Sequence, residues 1–145
     1  MSGTGEIVDR IEREIVIDAT VARVWQLVSE PGWWIGDGDR TDHVLTREGE
    51  LVIVEDPRYG RFPLKVESTD EPHRITYRWI GEDSSTVVEF SLSDTGGGTL
   101  LRVVESGFAA MPGTDEERAK AVEGNTSGWE QQLGIAKRDV ERISA

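Results

Sequence analysis

The stretch Thr114–Ile143, TDEERAKAVEGNTSGWEQQLGIAKRDVERI, has the features of one long helix that needs a partner. Thr114 and Glu117 are spaced as a capping box, and Lys137 and Arg138 lie toward the other end, where the helix dipole favours positive charge. One apolar stripe runs along the predicted helix and consists of Trp129, Leu133, Ala136, Val140 and Ile143. A helix with a single apolar face must pack against another layer of structure.

Short runs of alternating apolar and polar residues supply that layer. They predict an antiparallel meander over residues 43–46, 50–55, 61–68, 73–80, 85–93 and 99–106, with a hairpin at Gly96–Gly98. An earlier strand is predicted at residues 13–18, followed by a short helix with Thr20 as its N-cap. Charged residues alternate with the apolar ones, so only one face of the sheet is expected to be covered. The sequence predicts one α+β domain over residues 1–145, with a curved antiparallel sheet of about six or seven strands against a long C-terminal helix.

Composition limits the possible partners of this 145-residue chain. The absence of cysteine excludes disulfides, thiolate nucleophiles and cysteine-type zinc sites. A net charge of −12 opposes binding to phosphate backbones, so no nucleic acid is expected as a partner. No apolar run approaches the roughly 20 residues that cross a bilayer, so no membrane insertion is expected either. The N-terminus lacks an apolar signal segment, which predicts a cytoplasmic protein.

The segment PGWWIGDGD, Pro31–Asp39, contains two adjacent tryptophans among glycines and aspartates. Trp33 and Trp34 are too apolar to be left in water, yet their flanking residues are not those of an ordinary strand or helix core. These rings therefore require a packed core, a ligand or another protein to cover them.

Metal sites are weakly indicated. Asp37, Asp39, Thr41 and Glu48 fall at positions 1, 3, 5 and 12 of a calcium-loop spacing, but the sixth position is Asp42 where glycine is required. A solvated acidic loop is the preferred interpretation, and no metal or cofactor is predicted.

The two histidines and the serines do not indicate catalysis. His43 and His73 are predicted on different strands at the surface, without a third nitrogen or sulfur ligand for zinc. No serine has the nucleophile-elbow setting, and Gly96–Gly98 lacks the context of a phosphate loop. No catalytic residue is therefore assigned.

The segment Ile15–Trp25, IVIDATVARVW, resembles the opening strand and helix of the START-like, helix-grip superfamily (SRPBCC), which includes polyketide cyclases and lipid-transfer proteins. The branch it resembles most is the one related to the activator of the ninety-kilodalton heat-shock protein's ATPase (Aha-like). Matching pieces are Val24-Trp25, Trp33-Trp34 after a proline, Glu105–Phe108 and Ser127–Leu133. The resemblance extends over nearly the whole chain.

This resemblance implies a cavity between the long helix and the concave sheet, often used for an apolar ligand. Trp33 and Trp34 would lie beside its mouth, with at least one ring partly exposed and its N–H on the wet side. Gly128 would allow the helix backbone to approach the sheet closely. The remaining lining expected from the resemblance comprises Phe62, Tyr77, Trp79, Val88, Phe90, Val103, Phe108, Met111, Trp129 and Leu133.

Glu105 is the polar residue of most interest. Continuing the alternation of Leu101 and Val103 places its carboxylate on the concave side, where it would be a hydrogen-bonding anchor for a ligand. The alternative is that the strand ends there and Glu105 reaches water.

Three functions remain open at this stage. The leading hypothesis is a non-enzymatic module that binds a small, mostly apolar molecule between the C-terminal helix and the sheet. The second is a protein-interaction or chaperone-regulatory module of the ATPase-activator type. The third is a cyclase- or hydratase-like enzyme in which Glu105 and Tyr77 handle protons.

Overall fold

A curved antiparallel sheet of seven strands and two helices make up the computed structural model over the residues that it describes, which are 10–35, 43–80, 86–108 and 112–144. In chain order the elements are β1 (Arg10–Ile17), α1 (Val21–Val28), β2 (Val44–Glu48), β3 (Leu51–Asp56), β4 (Gly60–Asp70), β5 (Arg74–Trp79), β6 (Val87–Asp94), β7 (Thr99–Ser106) and α2 (Asp115–Ser144). The strand order β1-β7-β6-β5-β4-β3-β2 makes β2 to β7 a meander that β1 joins beside β7. The predicted α+β helix-grip arrangement is confirmed.

The first strand and first helix form as the sequence predicts, with one shift of boundary. β1 pairs with β7 along its whole length, from Arg10 opposite Ser106 to Ile17 opposite Thr99, so it begins three residues before the predicted start. The hydroxyl of Thr20 accepts a hydrogen bond from the backbone N–H of Arg23 at 3.3 Å, which confirms it as the N-cap of α1. α1 contacts β6, β7 and α2 and closes one end of the core.

The two halves of α2 differ in how they pack. The capping box is confirmed, since Thr114 and Glu117 exchange backbone-to-side-chain hydrogen bonds of 3.1 Å in both directions. From Trp129 to Val140 the apolar stripe is buried, and the helix contacts β1 and α1. No residue between 115 and 128 is buried. The first half of the helix therefore leaves space above the sheet.

The inner face of the sheet is apolar, as the alternation predicted, and its buried members are Leu64, Ile75, Tyr77, Val88, Phe90, Leu92, Leu101 and Val103. The outer face carries exposed ion pairs such as Arg78 with Glu67. Ile53 departs from the expected pattern because it alternates with inward-facing Val54 yet is only 2% exposed. The prediction that only one face is covered is wrong at this position.

The turn that follows α1 places Trp33 and Trp34 in the core. Gly32 has a φ of 76°, a left-handed conformation that side chains other than glycine disfavour. A Cβ atom at Gly32 would lie 2.7 Å from a methyl group of Val54, so the turn sits directly on β3. Only glycine fits both conditions, and the two rings that follow are directed into the protein.

His43 is not at the surface, so that prediction is wrong. It precedes β2 in register with Asp56 of β3, and its Nε2 lies 3.0 Å from the Asp56 carboxylate, with 3% of its side chain exposed. The other oxygen of Asp56 accepts hydrogen bonds from the backbone N–H groups of Arg58 (2.7 Å) and Tyr59 (3.0 Å). One carboxylate therefore holds both the β3–β4 turn and the start of β2. His73 is exposed, but in the turn before β5 instead of in a strand.

We expect the stability that Asp56 contributes to depend on pH. Burial acts to raise the pKa of its carboxyl, but the N–H groups of Arg58 and Tyr59 and the ring of His43 outweigh it and hold the pKa below its usual 3.8. A lowered folded-state pKa stabilises the protein above 3.8, and this contribution is lost as the pH falls through the folded value.

Melting temperatures of wild type and Asp56→Asn, measured from about pH 6 down to about pH 2, test this expectation. The variant should melt lower at neutral pH, and the gap should close in acid. Asp70→Asn, which changes an exposed carboxylate at the end of β4, is the matched control and should show no such gap. A gap for Asp56→Asn that stays constant with pH would contradict the assignment.

Candidate functional site

A cavity of about 480 Å³ opens between the first half of α2 and the sheet at β4 and β5. It is open to solvent on one side. Its lining comprises Trp34, Arg61, Phe62, Pro63, Trp79, Ile80, Thr86, Glu105, Gly124, Asn125, Gly128, Trp129 and Gln132. The volume lies in the range of small-molecule sites, and the cavity lies beside the half of the helix that has no fully buried residue.

Four aromatic rings form one side of the cavity and are named here the aromatic wall: Trp34, Phe62, Trp79 and Trp129. Trp34 is its centre. Its ring centroid lies 5.7 Å from that of Trp79, nearly perpendicular at 89°, and 5.9 Å from that of Trp129. Trp79 in turn lies 5.8 Å from Phe62. These edge and tilted contacts fix the rings against one another.

Glu105 is buried at the cavity, with 2% of the residue exposed. One carboxylate oxygen accepts hydrogen bonds from the Trp129 indole N–H at 2.8 Å and the Asn125 side-chain amide at 3.1 Å. The other accepts from the hydroxyl of Thr86 at 2.6 Å. Of the two alternatives left open by the sequence, the inward-facing one is therefore the one observed.

Two glycines of α2 face the cavity and leave its helical side bare. Gly124 and Gly128 are one turn apart, and a Cβ atom added to either would meet nothing within 4 Å. The prediction that Gly128 permits close approach of helix and sheet is wrong, because the helix is not close to the sheet there. The glycines instead widen the cleft.

The tryptophan pair does not lie half exposed at a mouth. Trp33 is 2% exposed and Trp34 is 7% exposed, so the expectation of a partly exposed ring is wrong. Within the described residues, neither indole N–H has a hydrogen-bond partner, and both nitrogens are buried. Trp33 packs on Phe90 in the core, with centroids 5.2 Å apart, whereas Trp34 has core contacts and also lines the cavity.

The other residues of the expected lining divide into two groups. Phe62, Trp79, Glu105 and Trp129 line the cavity together with Trp34. Six are packed in the hydrophobic core instead, and these are Tyr77, Val88, Phe90, Val103, Phe108 and Leu133. Met111 lies outside the described residues. The core is thus filled behind the aromatic wall, and the cavity is smaller and nearer the surface than the resemblance implied.

Tyr77 is engaged in structure and is not positioned for proton transfer. Its hydroxyl donates a hydrogen bond of 2.7 Å to the backbone carbonyl of Val28 at the end of α1. Burial, with a further effect from the Glu30 carboxylate, raises the pKa of this hydroxyl far above its usual value. Tyr77 does not line the cavity that contains Glu105.

No group of three or more histidine, aspartate or glutamate side chains comes together as a metal site among the residues that the structure describes. Asp37, Asp39 and Thr41 of the calcium-like spacing lie outside those residues. Glu48, the last member of that spacing, is exposed and pairs with Arg61 at 2.6 Å.

Several cavity residues were not identified from the sequence. Asn125 and Gln132 lie on the face of α2 that carries Trp129, about one turn before it and one turn after it. Helical spacing alone could have found them. No sequence spacing indicates Thr86. Its hydrogen bond to Glu105 depends on the pairing of β6 with β7, which places Val88 opposite Glu105.

Residues 18–136 match the family described as Activator of Hsp90 ATPase homolog 1-like protein (AHSA1). The chain belongs to this family. The match includes every described residue that lines the cavity, so the aromatic wall and Glu105 lie within the AHSA1 part of the chain. No curated protein matches the chain.

Solved structures share the fold of this AHSA1 member. MLL2253 from Mesorhizobium loti is 20% identical, with a TM-score of 0.70 over 92% of this chain and 97% of that one. CalU16 from Micromonospora echinospora is 21% identical, with a TM-score of 0.61 over 90% of this chain and 73% of that one. DynU16, a protein in the dynemicin biosynthetic locus, is 22% identical, with a TM-score of 0.70 over 92% of this chain. The present chain spans only 48% of DynU16.

These identities establish a common fold and nothing narrower. None of the helices in the described ranges combines the length and the apolar composition needed to span a membrane.

Tyr77→Phe should destabilise the protein without opening the site to solvent. The substitution keeps the ring in the core but removes the hydroxyl that donates to the Val28 carbonyl, and a buried acceptor left unpaired costs about 1–3 kcal/mol. Chemical denaturation should show this loss. An unchanged free energy of unfolding would contradict the structural role of Tyr77.

Proposed function

We propose that this AHSA1 protein is a non-enzymatic module that binds a small, mostly apolar molecule in the cavity between α2 and the sheet. The observation that supports this most is the aromatic wall facing an open volume of about 480 Å³. Phe62 and Trp79 are only partly buried, so apolar surface remains to be covered. A bound apolar molecule gains about 25 cal/mol for each Å² of apolar area removed from water.

The bare face of α2 supports the same proposal. Glycine in a helix interior costs about 0.8–1 kcal/mol relative to alanine, and Gly124 and Gly128 meet no neighbour that would exclude a side chain. Close packing therefore does not require glycine at these two positions, and the missing side chains leave room for a ligand beside the aromatic wall.

The cavity favours binding over catalysis. Among the described lining residues, the ionisable side chains are Glu105 and Arg61. Glu105 already accepts three hydrogen bonds, and Arg61 pairs with Glu48. Tyr77, the proton-handling partner considered for a cyclase or hydratase, uses its hydroxyl on Val28. Among the described residues, the enzyme alternative therefore lacks a second proton-handling group beside Glu105.

A protein-interaction function is the second candidate, and the edge strand β2 favours it. All five residues of β2 are exposed, including Val44 and Leu45, and β2 pairs on one side only, with β3. Such an edge can accept a strand from a partner. The cavity is not part of this surface, so the two functions can be tested separately.

A side chain placed at Gly128 should fill the cavity and prevent binding. The probe is N-phenylnaphthylamine, a neutral dye whose fluorescence rises in apolar sites. Wild type should bind it saturably, and Gly128→Leu should weaken binding about tenfold or more. Gly134→Leu is the matched control, because Gly134 also meets nothing within 4 Å but does not line the cavity.

Both substitutions should stabilise α2 by about 0.8–1 kcal/mol, so a loss of binding in one alone cannot come from unfolding. Melting curves recorded beside the titrations check this point. Equal dye binding by the two variants, or none by wild type, would refute the cavity as a ligand site.

A further inference from the structure

We infer that the ligand of this cavity carries a positive charge, as an apolar ammonium ion whose nitrogen lies against Glu105. This inference rests on the proposed function and narrows its ligand class. Three observations support it. Glu105 forms no ion pair with a described basic side chain, its carboxylate can accept a further hydrogen bond, and three of the four rings in the aromatic wall are tryptophan.

Glu105 is a buried acid without a counter-ion. It is 2% exposed, and none of the basic side chains within the described ranges forms an ion pair with it. Its three partners, Thr86, Asn125 and Trp129, are all neutral donors. A buried carboxylate without a cation is costly, and proteins ordinarily pair such groups or use them to bind one.

The hydrogen bonds orient Glu105 and leave it able to accept another donor. Three neighbours donate hydrogen bonds to it, and both of its oxygens take part. Among the described residues, Oε1 accepts two hydrogen bonds and Oε2 accepts one, from Thr86. A carboxylate has about four acceptor positions, so one remains on Oε2 for an ammonium N–H.

The aromatic wall supplies a second kind of attraction for a cation. Three of its four rings are tryptophan, the side chain whose face attracts cations most strongly. Trp129 joins the two features directly, because its ring belongs to the wall and its N–H donates to Glu105. A cation placed between the wall and the carboxylate would be held by both, and each contact strengthens where water is excluded.

The surrounding charges do not oppose a cationic ligand. Arg61 is the described basic residue at the cavity, and its guanidinium lies 2.6 Å from Glu48 and 3.9 Å from Glu55. Its charge is therefore matched by acids other than Glu105. The chain as a whole carries −12, which attracts cations and repels anions over a distance set by the salt concentration.

A series of probes that differ only in charge tests the inference. Naphthylmethylammonium, naphthylmethanol and naphthoate share one ring system and are positive, neutral and negative at neutral pH. Isothermal titration calorimetry of wild type should show the ammonium binding about tenfold or more tightly than the alcohol, and the acid most weakly. The preference should persist at raised salt, because a site-bound pair is screened less than the general field.

Glu105→Gln keeps the shape of the side chain and removes its charge, so the preference for the ammonium over the alcohol should collapse. Glu123→Gln is the matched control, since it removes the same charge from an exposed position beside Gly124 and should retain the preference. The melting temperature of Glu105→Gln should not fall, because the amide removes an unneutralised buried charge.

The outcomes separate the inference from the proposed function. Equal binding of ammonium and alcohol by wild type would overturn the cationic ligand while leaving the cavity as an apolar site. If both variants lost the preference for the ammonium equally, the preference would come from the net charge of the whole chain. That result would also overturn the inference. Failure of all three probes to bind would overturn both proposals. If Glu105→Gln does not fold, the wild-type charge series alone decides.

Discussion

Trp129 is the residue at which the packed core of this protein ends and its cavity begins. On one side its ring packs against Phe90, with ring centroids 5.6 Å apart, and belongs to the buried apolar stripe of α2. On the other side it contacts Trp34 and lines the open volume. Its N–H also fixes Glu105. The buried stripe of α2, the aromatic wall and the hydrogen bonds of Glu105 all meet at this indole.

The division of α2 into two halves explains how the fold contains both a packed core and an open cavity. A 30-residue helix buried along its whole length would fill the concave side of the sheet. Here the apolar stripe begins only at Trp129, and the preceding turns carry Gly124, Asn125 and Gly128 where large apolar residues would otherwise pack. The sheet at β4 and β5 therefore keeps an uncovered aromatic surface, which the closely packed core behind it supports.

Much of this arrangement could be predicted from residue spacing, because periodicity and capping act locally. The N-cap at Thr20, the capping box at Thr114 and the hairpin at Gly96–Gly98 all followed from residues close in sequence, whereas spacing alone allowed Glu105 to face either the concave side or solvent. The errors arose where burial depends on distant residues. His43 is covered through its pairing with Asp56.

The tryptophan pair is a second case in which burial depends on residues distant in sequence. Trp33 and Trp34 have the flanking residues of an exposed loop, yet a turn at Gly32 that fits against Val54 directs them inward. The room beside Gly128 was likewise invisible in the sequence, since a glycine that permits close approach and one that leaves a space look alike there. The cavity itself depends on what α2 does not touch, and no local pattern encodes an absence of contact.

The first half of α2, in which no residue is fully buried, has a consequence for where the cleft can change shape. Trp129 belongs to the core and also lines the cleft, whereas Gly124 and Gly128 line the cleft without being buried. A side chain at position 124 or 128 would reshape the cleft without displacing a core residue, whereas a substitution at 125 would also remove the hydrogen bond from Asn125 to Glu105. The C-terminal half of α2 supplies most of the packing of the helix, so the shape of the cleft can change at these two glycines without repacking the core.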